Sequence, residues 1–370
     1  MAIHPLNDQF RATYANIGLG SRLKVAIAAH LEVRSVLRAA RDLTSRGLED
    51  VLIGSYPRRT GIWPGKDVDV FGKLTGESID SITPAVAYGL FLKVLCDGFP
   101  NRVEPQARSI KVNYRPDRGP AKSFIAEAAK LLNDSDALTA RDTFEFSVDV
   151  VPAVHFDVRW GIPNRDKTTW ERQAASERWL KTDPEKLTDS TQKLNKKLVI
   201  SAQGAYVPTV KAIRQIRRSH LGDAKPGGLY FELIVHEGFT VGAIVGDTWA
   251  DLTASMLGFV ADRLVTASTT PVCDPSLGQP YSPPPDQAGL AHASVVFGRL
   301  ASQAATALTA DKCPAAAIWR EIFGSNTKVG GPVFDLPTGC ASDGSVMPVF
   351  GAANPNPLRG TNEARGFGRV

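Results

Sequence analysis

The stretch "IGSYPRRTGIWPGKDVDVF", Ile53 to Phe71, decides the fold. A Gly-Ser pair leads into a basic loop, and two aspartates separated by one valine follow it. The flanking segments "EDVLIGS" (49–55) and "DVDVFGKL" (67–74) read as strands, the second alternating acid and apolar residues. Residues two apart on a strand point to one side. Asp67 and Asp69 therefore project together, with Val68 and Val70 turned to the core. Two carboxylates that close repel each other unless a cation or a proton lies between them.

A third acid of this kind is Asp149 in "FEFSVDVVPAV" (144–154), set among Val148, Val150 and Val151. An acid in an apolar strand is costly unless it is paired or bound to metal. Three such acids suit two divalent cations roughly 4 Å apart, an arrangement used for phosphoryl chemistry. Taken one at a time, each could instead pair with an arginine or cap a turn. Gly54 permits close backbone approach, and its amide with the Ser55 hydroxyl suits a phosphate oxygen.

The chain has 370 residues, enough for two lobes, with 43% hydrophobic and 22% charged residues, as in ordinary globular proteins. A net charge of +5 suits an anionic ligand without requiring one. Cys96, Cys273, Cys313 and Cys340 form no CxxC, so reduced thiols are expected rather than a zinc ribbon or a disulfide framework. The start "MAIHPLNDQF" lacks the pattern of a signal peptide, and no apolar run reaches the roughly 18 residues of a membrane helix. A cytoplasmic location is expected.

Residues 21–47 predict one long helix, with Leu23, Ile27 and Leu31 at four-residue steps and Gly47 to end it. Arg34, Arg38 and Arg41 share another face, read either as solvated or as touching a nucleotide or nucleic acid. Residues 84–96 predict a helix and "ARSIKVNY" (107–114) a strand, so an α+β lobe with a mixed sheet is expected over 1–165. Residues 168–181, 206–220, 247–267 and 288–309 read as helices of a second lobe, 166–325, interrupted by the Pro-rich connector 271–287. From 326 to 370 the chain is rich in Gly, Pro and Asn and reads as a flexible tail. The histidines, among them His155, His220, His236 and His292, have no metal-binding spacing. Gly18 to Gly20 lacks the rest of a dinucleotide fingerprint, and no G-x-S-x-G elbow is present.

Together "GSYPRRT…DVDVF" and "FSVDVVPA" resemble the active-site signature of the polymerase-β-like nucleotidyltransferases. Within them the chain is most similar, over roughly residues 20–325, to the bacterial cGAS/DncV-like nucleotidyltransferases (CD-NTases). These are relatives of oligoadenylate synthetase and cyclic GMP-AMP synthase. The resemblance implies a bilobed polymerase-β-like fold that joins nucleoside triphosphates into cyclic or short linear oligonucleotide signals, often in anti-phage defence. It implies Asp67, Asp69 and Asp149 as ligands of two Mg²⁺ ions, with Mn²⁺ as an alternative, and Asp149 as the group that helps deprotonate the acceptor hydroxyl. It implies Gly54 and Ser55 as the triphosphate turn. In "VPTVKAIRQIRR" Lys211 matches the lysine that reaches the triphosphate, and Arg214 and Arg218 share its face, which could equally be plain solvated surface. In "GGLYFELIV" Tyr230 matches a base-stacking tyrosine, although Leu229 stands where the family often has serine; a core or interface aromatic is the other reading. A regulatory protein partner at the C-terminal tail is a further implication, weakened by an end at "FGRV" rather than glycine. Transfer of a nucleotide to tRNA or protein, and a non-catalytic nucleotide sensor, remain the alternatives. No dedicated RNA-binding module is visible, only basic stripes.

Overall fold

A computed structural model describes residues 6–20, 22–114 and 146–347. Its main strands are β1 (Leu48–Ile53), β2 (Asp67–Ser78), β3 (Val103–Pro105), β4 (Ile110–Asn113), β5 (Ser147–Phe156), β6 (Arg159–Pro163) and β7 (Trp179–Thr182). They form one mixed sheet in the order β1-β2-β5-β4-β3, with β6 on β5 and β7 on β6. The pair β2–β5 is parallel and the other pairs are antiparallel. The expected α+β class with a mixed sheet and a helical portion is what the structure shows.

Helix α1 (Asn7–Ile17) precedes α2 (Arg22–Ala39), and α3 (Pro84–Gly98) follows β2. Thr83 caps α3 by accepting a hydrogen bond from the Val86 amide, with Pro84 in the first turn. Helices α2 and α3 cover one sheet face, where Val25, Ala29, Val33, Leu37, Phe91 and Leu95 meet Val68, Val70, Val148 and Val150. After β7 come α4 (Pro184–Lys197), α5 (Tyr206–Leu221), α6 (Gly228–Val241), α7 (Trp249–Thr266), α8 (Gln287–Thr309) and α9 (Lys312–Phe323). These helices enclose a second core, which α1 joins through Phe10, edge-on to Trp319 at 5.1 Å between ring centroids. Helix α1 thus packs in the helical core, whereas α2, the long N-terminal helix expected in the 1–165 lobe, packs against the sheet.

Four expectations need correction. The helix expected over 21–47 stops at Ala39, and a single turn, Arg41–Thr44, follows. Its Leu23, Ile27 and Leu31 stripe is 40–52% exposed. Two apolar stripes compete on α2, and the one with small Ala26 and Ala29 lets the helix lie close to the sheet. The arginines beside it are ion-paired: Arg34 and Arg38 both hold the Asp50 carboxylate, Arg38 at 2.6 Å.

The helix expected over 168–181 is one 3₁₀ turn, one α turn and strand β7. Trp170 and Trp179 are buried in the sheet core, and pairing of β7 with β6 overrides local helical preference. Cys313 and Cys340 are disulfide-bonded, whereas Cys96 and Cys273 are free. Finally, residues 326–347 are folded. Val333 and Phe334 are fully buried, and Phe334 stacks on Phe323 and meets Phe10 edge-on. The rest of the expected tail, 348–370, lies outside the described residues. Among those described, no helix is long and apolar enough to cross a membrane.

Replacing Phe334 with alanine should remove about 3–5 kcal/mol of stability, because a packed aromatic leaves a cavity. Chemical denaturation of the full chain measures this. A loss below about 1 kcal/mol would return residues 326–347 to the status of a loose tail.

Candidate active site

The register of the sheet builds the site. Asp69 pairs with Ile53 on one side and with Asp149 on the other. Asp149 in turn faces Lys111 on β4, and Lys111 faces Glu104 on β3. Asp67 and Asp69 share a face as expected, while Val68 and Val70 are buried behind them. Asp67 is exposed; Asp69 and Asp149 are half-buried.

The chain turns at Gly54 immediately beyond Ile53, with φ +74°. A Cβ there would come within 2.0 Å of an Asp69 carboxylate oxygen, so both the backbone angle and the acid require glycine. The Ser55 hydroxyl makes no hydrogen bond among the described residues, while the Ser55 carbonyl accepts one from the Thr60 amide at 3.0 Å.

Burial, and after it the neighbouring acids, make these carboxyls hard to ionise. The Asp69 carboxyl is pushed up to about 7, by burial first and then by Asp67 and Asp149, with Arg58 and Arg214 pulling it back. Asp149 is pushed up to about 6, again mainly by burial, with Lys111 opposing. One Asp149 oxygen is buried with no hydrogen-bond partner among the described residues. Among the described residues, no three His, Cys, Asp or Glu side chains converge closely enough to enclose a metal ion as they stand. The donors nevertheless fit a hard divalent cation. All are carboxylate oxygens, one is orphaned, and the missing Cβ of Gly54 leaves Asp69 room.

Lys211, on α5, is half-buried with no hydrogen bond or ion pair among the described residues. Burial lowers its ammonium pKa, and so do the nearby cations Lys328 and Arg59. Lys328 comes from the folded C-terminal segment and also holds the carbonyls of Ala15 and Gly18, at 2.7 and 3.0 Å. Arg214 and Arg218 lie on the Lys211 face but are committed to the 54–66 loop, to Thr60 and to the Trp63 carbonyl. Tyr230 is only 3% exposed and sits edge-on to the half-buried Tyr281, with 5.6 Å between ring centroids.

Three groups here were not singled out from the sequence. Arg108 lies in the β3–β4 turn, whose carbonyls at Gln106 and Ser109 accept from the Tyr88 hydroxyl. Arg108 makes no ion pair among the described residues and interacts electrostatically with Arg165, Tyr281 and Asp69. The other two are Arg58 and Glu232, a buried ion pair with Arg58 Nε 2.7 Å from the carboxylate. Glu232 had a legible signal: a lone acid in the apolar run "LYFELIV".

No family model and no curated protein matches the chain. Solved structures do. CdnC of Escherichia coli MS115-1, solved with ATP, superposes with a TM-score of 0.60 at 13% identity, covering 90% of this chain and 100% of that one. The same protein in a complex with HORMA-deltaN gives 0.60 at 14%, covering 86% and 97%. The Bradyrhizobium diazoefficiens CD-NTase CdnG with GTP gives 0.58 at 13%, covering 82% and 91%. Rhodothermus marinus CdnE, a c-UMP-AMP synthase solved with Apcpp and Upnpp, gives 0.52 at 15%, covering 80% and 96%.

The fold is that of the CD-NTases. At such identities the likeness is one of architecture. In this CD-NTase fold, what the acids and cations do rests on the geometry of this chain.

The raised acids carry a pH signature. Ionisation of Asp69 and Asp149 in the fold is harder than in the unfolded chain, where the ordinary value is 3.8. The ion-free protein should therefore lose stability as pH climbs from about 4 through 7. Thermal melting between pH 5 and 8 in EDTA checks this. Asp69→Asn should flatten the profile and raise the midpoint at pH 8. A lower midpoint in the variant would mean that the charge is already compensated.

Proposed function

We propose that the chain is a metal-dependent nucleotidyltransferase that condenses nucleoside triphosphates into a cyclic or short linear oligonucleotide and releases pyrophosphate. The observation that carries this reading is the Asp69–Asp149 pair across β2 and β5, with Gly54 against Asp69 and one Asp149 oxygen unpartnered. The CD-NTase fold supports it, since neighbours of that fold were solved with ATP, GTP, and Apcpp with Upnpp.

Asp67, Asp69 and Asp149 would hold Mg²⁺, with Mn²⁺ as the alternative. Such ions, when bound, neutralise phosphate charge and acidify an attacking hydroxyl. The protein's own groups do the rest. The Gly54 amide and the Ser55 hydroxyl take phosphate oxygens of the donor. Lys211, with Arg59 and Lys328 beside it, forms a cationic wall for the triphosphate tail. Tyr281 and, behind it, Tyr230 give the base an aromatic surface. A 2′ or 3′ hydroxyl of the second nucleotide bonds to the α-phosphorus, and its proton passes to the Asp149 carboxylate. The bond from the α-phosphorus to the bridging oxygen breaks, and pyrophosphate leaves. Placement and charge neutralisation supply most of the acceleration.

In the same reading the product is a second messenger in cytoplasmic anti-phage defence, and a regulatory protein partner governs the enzyme. The Escherichia coli neighbour's complex with HORMA-deltaN supports such a partner. Contact through the tail involves residues 348–370, outside those described.

The reading is tested with α-labelled NTPs in Mg²⁺ or Mn²⁺, comparing wild type with the Asp67→Ala/Asp69→Ala variant. A phosphatase-resistant small oligonucleotide is expected from wild type, and on the order of 10³-fold less from the variant. Label appearing in added tRNA or protein would move the acceptor from nucleotide to macromolecule. Equal synthesis by the variant would overturn the mechanism.

A further inference from the structure

The loop 54–66, between β1 and β2, holds the phosphate turn, yet it contains no helix or strand to fix it. Its conformation is set from the helical lobe. Glu232 on α6 is fully buried. Two nitrogens of the Arg58 guanidinium donate to its carboxylate, at 2.7 and 3.2 Å. Arg214 on α5 lies 3.6 Å from the same carboxylate. The Arg214 guanidinium also donates to the carbonyl and the hydroxyl of Thr60, at 3.2 and 3.3 Å. The Thr60 amide donates to the Ser55 carbonyl at 3.0 Å. One carboxylate therefore reaches Ser55 by two routes: through Arg58, three residues on, and through Arg214 and Thr60.

Between the two tethered positions stands Arg59, with φ +59°. A non-glycine residue persists in the left-handed region only where its surroundings over-determine it. Tethers on Arg58 and Thr60 do that here. They place Arg59 among the cations around Lys211. A lone buried carboxylate on an apolar helix is costly, and the two arginines that compensate it both belong to this loop or bind it.

We propose that Glu232 is a positioning residue: from the helical lobe it fixes loop 54–66 through Arg58 and Arg214, and so sets how tightly Gly54 and Ser55 hold a triphosphate. This rests on the nucleotidyltransferase reading above. Tyr230 lies two residues before Glu232 on the same helix, so the aromatic surface and the phosphate turn share one rigid support.

The test uses the full chain, with E232Q and E232D. Two readouts need no turnover: hydrogen exchange over residues 54–66, and affinity for inorganic tripolyphosphate with Mg²⁺. In E232Q, exchange in the loop should accelerate and tripolyphosphate affinity fall about tenfold, while β5 and α7 exchange as in wild type. E232D, which keeps the charge one methylene shorter, should fall between. Wild-type loop exchange and affinity in folded E232Q would overturn the proposal. So would acceleration spread evenly over the sheet and helices, which marks a merely structural role, or a wild-type chain that binds no tripolyphosphate. If E232Q does not fold, E232D carries both readouts, and unchanged values there overturn the proposal. A wild-type chain that binds tripolyphosphate but makes no oligonucleotide would sink the synthase reading and leave this one standing.

Discussion

The parallel pairing of β2 with β5 is the constraint on which everything else depends. A slip of one residue between these strands would turn every side chain of one of them to the opposite face. Register is fixed from behind by Val68, Val70, Val148 and Val150, all at most 1% exposed, packed under α2 and α3. The apolar half of each strand thus aligns the acidic half. Asp69 and Asp149 face each other because the valines beside them have only one way to fill the core. The hydrophobic effect holds in place an arrangement that electrostatics alone would push apart.

The second constraint is how loop 54–66 is clasped. Glu232, through Arg58, and Arg214 and Arg218 hold it from the helical side, Arg22 donates to the Pro64 carbonyl at 3.0 Å, and the Trp63 indole donates to Thr327 at 3.0 Å. Removing one partner from a buried ion pair leaves an uncompensated charge, at a cost of about 3–5 kcal/mol. Such a network adds little net stability over an apolar one, but it is specific. It favours one loop conformation, which the proposed phosphate turn would need more than it needs stability.

The strand elements and acids were legible because their signals are local and of period two: "DVDV" and "SVDV" declare both strand and face. What failed was non-local. The Leu23, Ile27 and Leu31 stripe is a sound helical signal that faces solvent, since nothing in the sequence says which of two stripes meets the sheet. Trp170 and Trp179 lie in a window of helix formers, but strand pairing claims Trp179 and the sheet-side core buries both. The Gly- and Pro-rich composition after 326 argued for a tail. A few aromatics and one disulfide were enough to fold 326–347 onto α1 and α9. The partners of Arg58, Arg214 and Glu232 are 18 to 174 residues apart, beyond any periodicity.

The C-terminal segment shows why that last failure matters for chemistry. Its hairpin, Ser325–Asn326 with Gly331–Pro332, presents Thr327 to Trp63 and Lys328 to the end of α1. Lys328 satisfies carbonyls at that helix end, where a cation is favoured by the helix dipole. The same ammonium lies near enough to Lys211 to lower its pKa. One side chain therefore ties the segment after α9 to the first described helix and adds positive charge beside Lys211. Cations that repel one another in the free protein are a cost, as are the acids Asp69 and Asp149. A ligand that brings negative phosphates to one cluster and divalent cations to the other relieves both costs together. Under the proposed function, that gives the site a reason to prefer the two together over either alone.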